Sequence, residues 1–187
     1  MTSAATLRPA TKDDADRVAR LHAESWRTAY RGIYADAYLD GPVFDDRIRV
    51  WRERFATSRD GQHVLLAETE AGLEGFICVF GDDDDTWGSL IDNLHVAPGH
   101  KRRGIGARLM HAGALWLHEH YPKSGVYLWV LQDNAPARRF YERLGARDEG
   151  AVEHDMPGGG SAFGCRYVWQ SPQSLETASA PYGTRSP

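Results

Sequence analysis

One short stretch constrains this chain more than any other: His100-Lys101-Arg102-Arg103-Gly104-Ile105-Gly106-Ala107, lying between a strand-like run and a helix-like run. The first N–H groups of a helix have no intrahelical acceptor and sit at the positive end of its dipole, so such a junction is an anion site. Glycines at 104 and 106 let the backbone approach a phosphate with no Cβ in the way. Lys101, Arg102 and Arg103 add cations beside the same anion, and the ligand implied is a pyrophosphate. Two common phosphate motifs each lack a required residue here. An ATP-type loop needs Lys-Ser/Thr after its last Gly, but Gly106 is followed by Ala107-Arg108; a dinucleotide fingerprint needs a third Gly where Leu109 stands. Taken alone, the two glycines are equally compatible with a tight turn beside a solvated basic run.

Around that junction, strand-like and helix-like runs alternate. Residues 5–9 read as a short strand ended by Pro9. Thr11-Lys12-Asp13-Asp14 reads as a capping box, and Ala15, Val18, Ala19, His22, Trp26 and Ala29 follow at helical spacing. A loop over 30–42 leads to a second helix over 43–56. Strands are expected at 63–69 and 74–80, joined through Gly72, and at 89–96 beyond an acidic turn at 81–86. A helix over 105–120, a strand buried on both faces at 125–130 and a short helix over 134–144 closed by Gly145 come next. The last strands fall near 147–155 and 163–170, and the Ser-, Pro-, Thr- and Ala-rich tail from Ser171 is expected to fray. This order implies an α/β (α+β) fold, a mixed sheet with helices on both faces, and one domain over 1–170 followed by a flexible tail at 171–187.

Composition narrows the partners. With 187 residues, 42% of them hydrophobic, the chain can bury a sizeable core. Its net charge of −4 leaves no global basic field to recruit nucleic acid or membrane. Cys78 and Cys165 lie in separate apolar segments and read as small buried hydrophobes rather than a disulfide framework. No apolar run has the roughly 20 residues of a membrane span, and the N-terminus lacks the basic-then-apolar order of a signal peptide, so a cytoplasmic location is expected.

A second motif gives the first its meaning. Asn134-Ala135-Pro136-Ala137-Arg138-Arg139-Phe140-Tyr141, with Gly145 four residues on, follows the cradle in chain order. Together, the two blocks resemble the signatures of the GNAT acetyltransferase superfamily, Arg/Gln-x-x-Gly-x-Gly/Ala and Asn-x-x-Ala-x-x-x-Tyr. Lys101 replaces the first motif's Arg or Gln, and Ala146 stands where Phe often follows the Gly. The resemblance covers residues 6 to 170 or so. It implies a mostly antiparallel sheet of six to seven strands, the fourth and fifth splayed, and acetyl-CoA as cosubstrate with no metal. The pyrophosphate would rest on 102–107 and the pantetheine arm would pair with the backbone of Leu94, His95 and Val96. Asn134 would hydrogen-bond the same ligand, although Asn is also a favoured helix cap.

The reaction implied is direct attack of a primary amine on the thioester. It needs a neutral amine, donors for the developing oxyanion and a proton for the leaving sulfur. Tyr141 occupies the family's general-acid position, and main-chain N–H groups near Val96 would meet the oxyanion. Asp92 is the first candidate for the base, for holding a cationic acceptor or for ordering a water; His95 is the second, which simple strand alternation turns to the other face unless a bulge intervenes. The acceptor wall would come from Glu24, Trp26, Arg27, Tyr30 and Tyr34, with Trp26 and Tyr30 as contact residues. The acceptor is a small-molecule or protein amine, a homodimer is admitted, and a non-catalytic acyl-CoA-binding module is the competing reading.

Overall fold

The computed structural model describes residues 5–57 and 59–183; residues 1–4 and 184–187, the ends of the expected domain and tail, lie outside that range. The strands are β1 (Thr6–Pro9), β2 (Gln62–Thr69), β3 (Gly72–Asp84), β4 (Gly88–Val96), β5 (Val126–Leu131), β6 (Arg147–Asp155) and β7 (Ser161–Trp169). They form one seven-stranded sheet in the order β1-β2-β3-β4-β5-β7-β6. Every neighbouring pair is antiparallel except β4–β5, which is parallel and pairs only at Ser89↔Val126 and Leu90↔Tyr127. Beyond Leu90 the two strands separate, so the expected splay is present.

The helices are α1 (Ala15–Ala29), α2 (Asp36–Asp40), α3 (Val43–Ala56), α4 (Ile105–His120), α5 (Ala135–Arg143) and α6 (Pro172–Gly183). Thr11 opens the first helical segment as expected, its N–H donating to Asp14 Oδ2 at 2.9 Å. Alternation along β3 divides the core between the two faces of the sheet. Ile77 and Val79 pack with Leu109, Met110 and Leu117 of α4, whereas Phe76, Cys78 and Phe80 pack with Val18, Ala19 and Trp51 of α1 and α3. Each such fully buried apolar side chain contributes about 1.5–3 kcal/mol. Both cysteines are free and buried. No helix among the described residues is long and apolar enough to cross a membrane.

Three expectations change. The loop over 30–42 contains α2. The acidic run expected as a turn at 81–86 is largely the end of β3, which extends to Asp84: Asp83 accepts from Arg59 at 2.6 Å and from Tyr127 at 2.6 Å, and Asp84 caps the N–H groups of Thr86 and Trp87. The tail from Ser171 is ordered as α6 through Gly183, with Leu175 and Ser179 fully buried and Ser179 within 3.2 Å of His111 Nδ1 on α4. Its start could have been read from the sequence. Ser171 and Ser174 exchange a reciprocal hydrogen-bonded cap around Pro172, and Leu175, Ala178 and Tyr182 recur at helical spacing.

Candidate active site

The cradle forms where β4 hands over to α4. Gly104 is the N-cap of α4 at φ +81, and no side chain caps the helix there. Arg108 N–H bonds to Gly104 O at 3.0 Å, leaving the N–H groups of Ile105, Gly106 and Ala107 without helical acceptors. A Cβ on Gly104 would meet nothing within 4 Å, so no protein packing requires this glycine; its left-handed backbone and the open space above it suit an approaching anion. A Cβ on Gly106 would sit 3.7 Å from both Phe140 and Val96, which places the cradle, the end of β4 and α5 around one cleft. Lys101 and Arg102 are exposed and form no ion pair among the described residues, whereas Arg103 turns back toward His100 at 3.0 Å and the buried Glu74 at 3.9 Å. Of the three cations expected at the phosphate, Arg103 is thus already committed.

Register decides which atoms of β4 are free. Ala97 N–H bonds to Glu74 O at 2.8 Å, and Val96, His95 and Leu94 lie opposite Gly75, Phe76 and Ile77. Alternate residues of an antiparallel pair exchange both bonds, so the main chain of His95 belongs to β3. Leu94 and Val96 therefore turn their N–H and C=O groups toward β5, which is no longer there to meet them.

A bulge rearranges the acceptor side of the same strand. The β3–β4 register moves from Cys78↔Asn93 to Val79↔Ile91, leaving Asp92 as an extra residue. Asp92 and Asn93 consequently both reach Arg54 of α3, Asp92 through an ion pair and Asn93 at 3.1 Å. The bulge also puts His95 on the face of Asp92, against simple alternation. His95 is buried beside Phe76 and His22, its Nδ1 is 2.9 Å from Ser25 Oγ, and burial pulls it down to about 3 with smaller contributions from Lys101 and Arg47. His22 receives a hydrogen bond from Trp51 Nε1 at Nδ1, 2.9 Å, so its proton is on Nε2, which is buried without a partner. Burial, followed by His95, Arg47 and Arg54, holds His22 well below the usual imidazole range.

Tyr141 is 9% exposed, edge-on to Phe140 with ring centroids 5.2 Å apart, and burial alone pushes its phenol up. Tyr30 is raised chiefly by burial and then by Tyr34 and Tyr141, and its ring centroid lies 5.0 Å from that of Tyr34. Trp26 packs against Tyr34 at 5.2 Å, Tyr30 at 5.7 Å and His22 at 4.7 Å, with the Arg47 guanidinium 4.4 Å from its ring centroid.

The model of the acetyltransferase (GNAT) family matches residues 18–146 of this chain. The chain belongs to the GNAT acetyltransferase family. It is 34% identical over 140 residues to the Mycobacterium tuberculosis protein named "Probable N-acetyltransferase Rv2775", covering 73% of this chain and 76% of that one. Among solved structures, it resembles the PaiA N-acetyltransferase of Thermoplasma acidophilum in complex with coenzyme A, at TM-score 0.65 and 19% identity, over 90% of this chain and 100% of that one. It also resembles yncA of Salmonella typhimurium with its cofactor acetyl-CoA, at TM-score 0.65 and 20% identity, over 90% and 94%. At these identities the two structures speak to the fold.

In this acetyltransferase the fold brings Leu94, Val96, Gly104, Gly106 and Ala107 together with Phe140 and Tyr141 around the splay. Asn134 Oδ1 accepts from Ala137 N–H at 3.3 Å, which makes it the cap of α5. Glu24 and Arg27 of the expected acceptor wall, with Thr28, Arg31 and Pro98, line an open groove of about 410 Å³. Sequence reasoning placed His22 on the apolar stripe of α1 without a role at the site, and did not single out Ser25 or Arg47. Ser25 and His22 share the inward stripe of α1 with Trp26, a signal open to a helical-wheel reading, but Arg47 carries no local signal.

Proposed function

We propose that this acetyltransferase takes its acetyl group from acetyl-CoA and transfers it to the primary amine of an acceptor, a small molecule in preference to a protein. The observation that carries this reading is the open edge of β4, where the free main-chain groups of Leu94 and Val96 lead to the uncapped N-terminus of α4 at Gly104. The pantetheine amides would pair along that edge as an added strand does. The N–H groups of 105–107, with Lys101 and Arg102, would hold the pyrophosphate. The presence of CoA or acetyl-CoA in the two related structures supports the assignment.

When bound, acetyl-CoA supplies a thioester whose carbonyl accepts the amine and whose sulfur departs in need of a proton. Tyr141 keeps its proton on Oη because burial disfavours the phenolate, and Oη–H is the donor to that sulfur. The main-chain N–H of Val96 donates to the acyl oxygen. Burial holds His95 neutral, so its Nε2, opposite the nitrogen held by Ser25, can accept a hydrogen bond from the amine and orient its lone pair; the proton the nitrogen sheds on forming the amide passes to solvent, which reprotonates Tyr141. Asp92, the earlier first choice for the base, would have to give up Arg54 to act; its role here is to hold α3 on β4.

The test is thiol release from acetyl-CoA across a panel of primary amines, with His95→Gln and Asp92→Asn run beside the parent. Transfer to at least one amine is expected. His95→Gln should lower kcat/KM about tenfold, and Asp92→Asn should stay within about threefold with an unchanged pH profile. A lost acid-side limb in Asp92→Asn would return the base role to Asp92.

A further inference from the structure

Charge beside the acceptor wall is unevenly matched. Arg47, one turn into α3, lays its guanidinium over Trp26 at 4.4 Å and keeps only 12% of its side chain exposed. Nη2 donates to Asp46 at 2.8 Å, Nε is buried without a partner, and Nη1 forms no hydrogen bond among the described residues. Asp46 is itself divided, accepting from Tyr38 Oη at 2.5 Å and from Arg49 at 2.7 Å as well. A nearly buried cation sharing its one carboxylate is an expensive arrangement that a second anion would relieve.

Its position places that anion at the acceptor. Trp26 joins Arg47 to Tyr30 and Tyr34 on one side and to His22 on the other, and His22 lies 4.4 Å from His95. The charge of Arg47 also bears on His95 and Tyr34, in keeping with that proximity. The partly buried carboxylates in the same region are taken, Asp92 facing Arg54 and Asp46 facing two arginines, while Glu24 of α1 is exposed to solvent. The under-matched charge is therefore positive, which disfavours a polycationic acceptor.

We infer that the acceptor is an amine that also bears a carboxylate, an amino acid or a peptide with a free C-terminus, and that Arg47 grips this carboxylate through its planar guanidinium while the amine lies toward His95 and Tyr141. This deepens the transferase reading and rests on it. An Arg–carboxylate fork fixes orientation as well as charge, so Arg47 is a specificity-determining residue.

Binding of acetylated products isolates the effect, because an N-acetyl amino acid has no titrating amine. CoA-loaded enzyme is titrated calorimetrically with N-acetyl amino acids and with their carboxamides. For at least one side chain, the acid should bind tenfold or more tightly than its amide. Arg47→Gln should erase that ratio, and Arg47→Lys should retain part of it, with CoA affinity unchanged as the check on folding. Acids and amides binding alike to the parent enzyme, no binding of either, or a ratio that survives Arg47→Gln each overturn the inference while CoA association stands. Failure of CoA itself to associate would overturn the transferase reading along with it.

Discussion

The two sides of the cleft are made from different materials. On the donor side, the groups offered are main-chain ones, N–H dipoles at 105–107 and the free edge at Leu94 and Val96, contributed by two short stretches of one chain segment. On the acceptor side, they are side chains from three elements and a loop, Trp26 and Ser25 of α1, Tyr34 between α1 and α2, Arg47 and Arg54 of α3, and His95 of β4, all buried or half-buried. A main-chain site tolerates changes of side chain and fails when the backbone is blocked or the field reversed. A side-chain site can be retuned residue by residue. That contrast accounts for a donor motif legible in a short stretch and an acceptor pocket that is not.

Gly104→Asp should break the donor side most severely. Asp tolerates the left-handed backbone and a Cβ there meets open space, so the protein should fold, yet a carboxylate now faces the phosphates. Acetyl-CoA affinity by calorimetry should fall a hundredfold or more, and the ligand's thermal shift should vanish. A retained shift would remove the cradle from cofactor binding.

Tyr141→Phe tests whether the boundary between the two sides carries chemistry. It should lower kcat on the order of a hundredfold while acetyl-CoA affinity stays within about twofold. Equal loss of both would make Tyr141 a packing residue beside Phe140.

The smallest effect belongs to the acceptor side and needs no substitution. His95 has a folded value of about 3 against 6.5 in the unfolded chain, so between those limits the unfolded state binds more protons. Its contribution to stability is present above pH 6.5 and is lost as pH falls toward 3, about 2 kcal/mol being gone at pH 5. His22, shifted in the same direction, adds to the loss. Denaturant unfolding at pH 7.5 and pH 5 measures it, and a flat profile would mean that both rings protonate in the fold.

Much of the scaffold was open to inspection of the residues. α4 was expected over 105–120 and is found there, because its apolar residues keep helical period between a glycine cap and a polar exit. The helix at α6 was missed because Ser-, Pro- and Ala-rich composition outweighed the cap at Ser171 and the helical spacing of Leu175, Ala178 and Tyr182; burying Leu175 then adds the packing that such a weak helix needs. The facing of His95 stayed open between simple alternation and a bulge, because only the register shows that one inserted residue, Asp92, reverses the side-chain parity of the strand.

The amino-acid sequence by itself determined the family, the order of elements and the anion-binding junction, since each depends on residues adjacent in the chain and on backbone conformations that glycine and proline control locally. The tertiary structure alone decided which strand edge is free, which carboxylate is already paired and which arginine lacks a full partner. Those are questions of register and burial, and they have answers only once residues far apart in the chain, such as Arg47 and Trp26 or Arg54 and Asp92, are packed side by side.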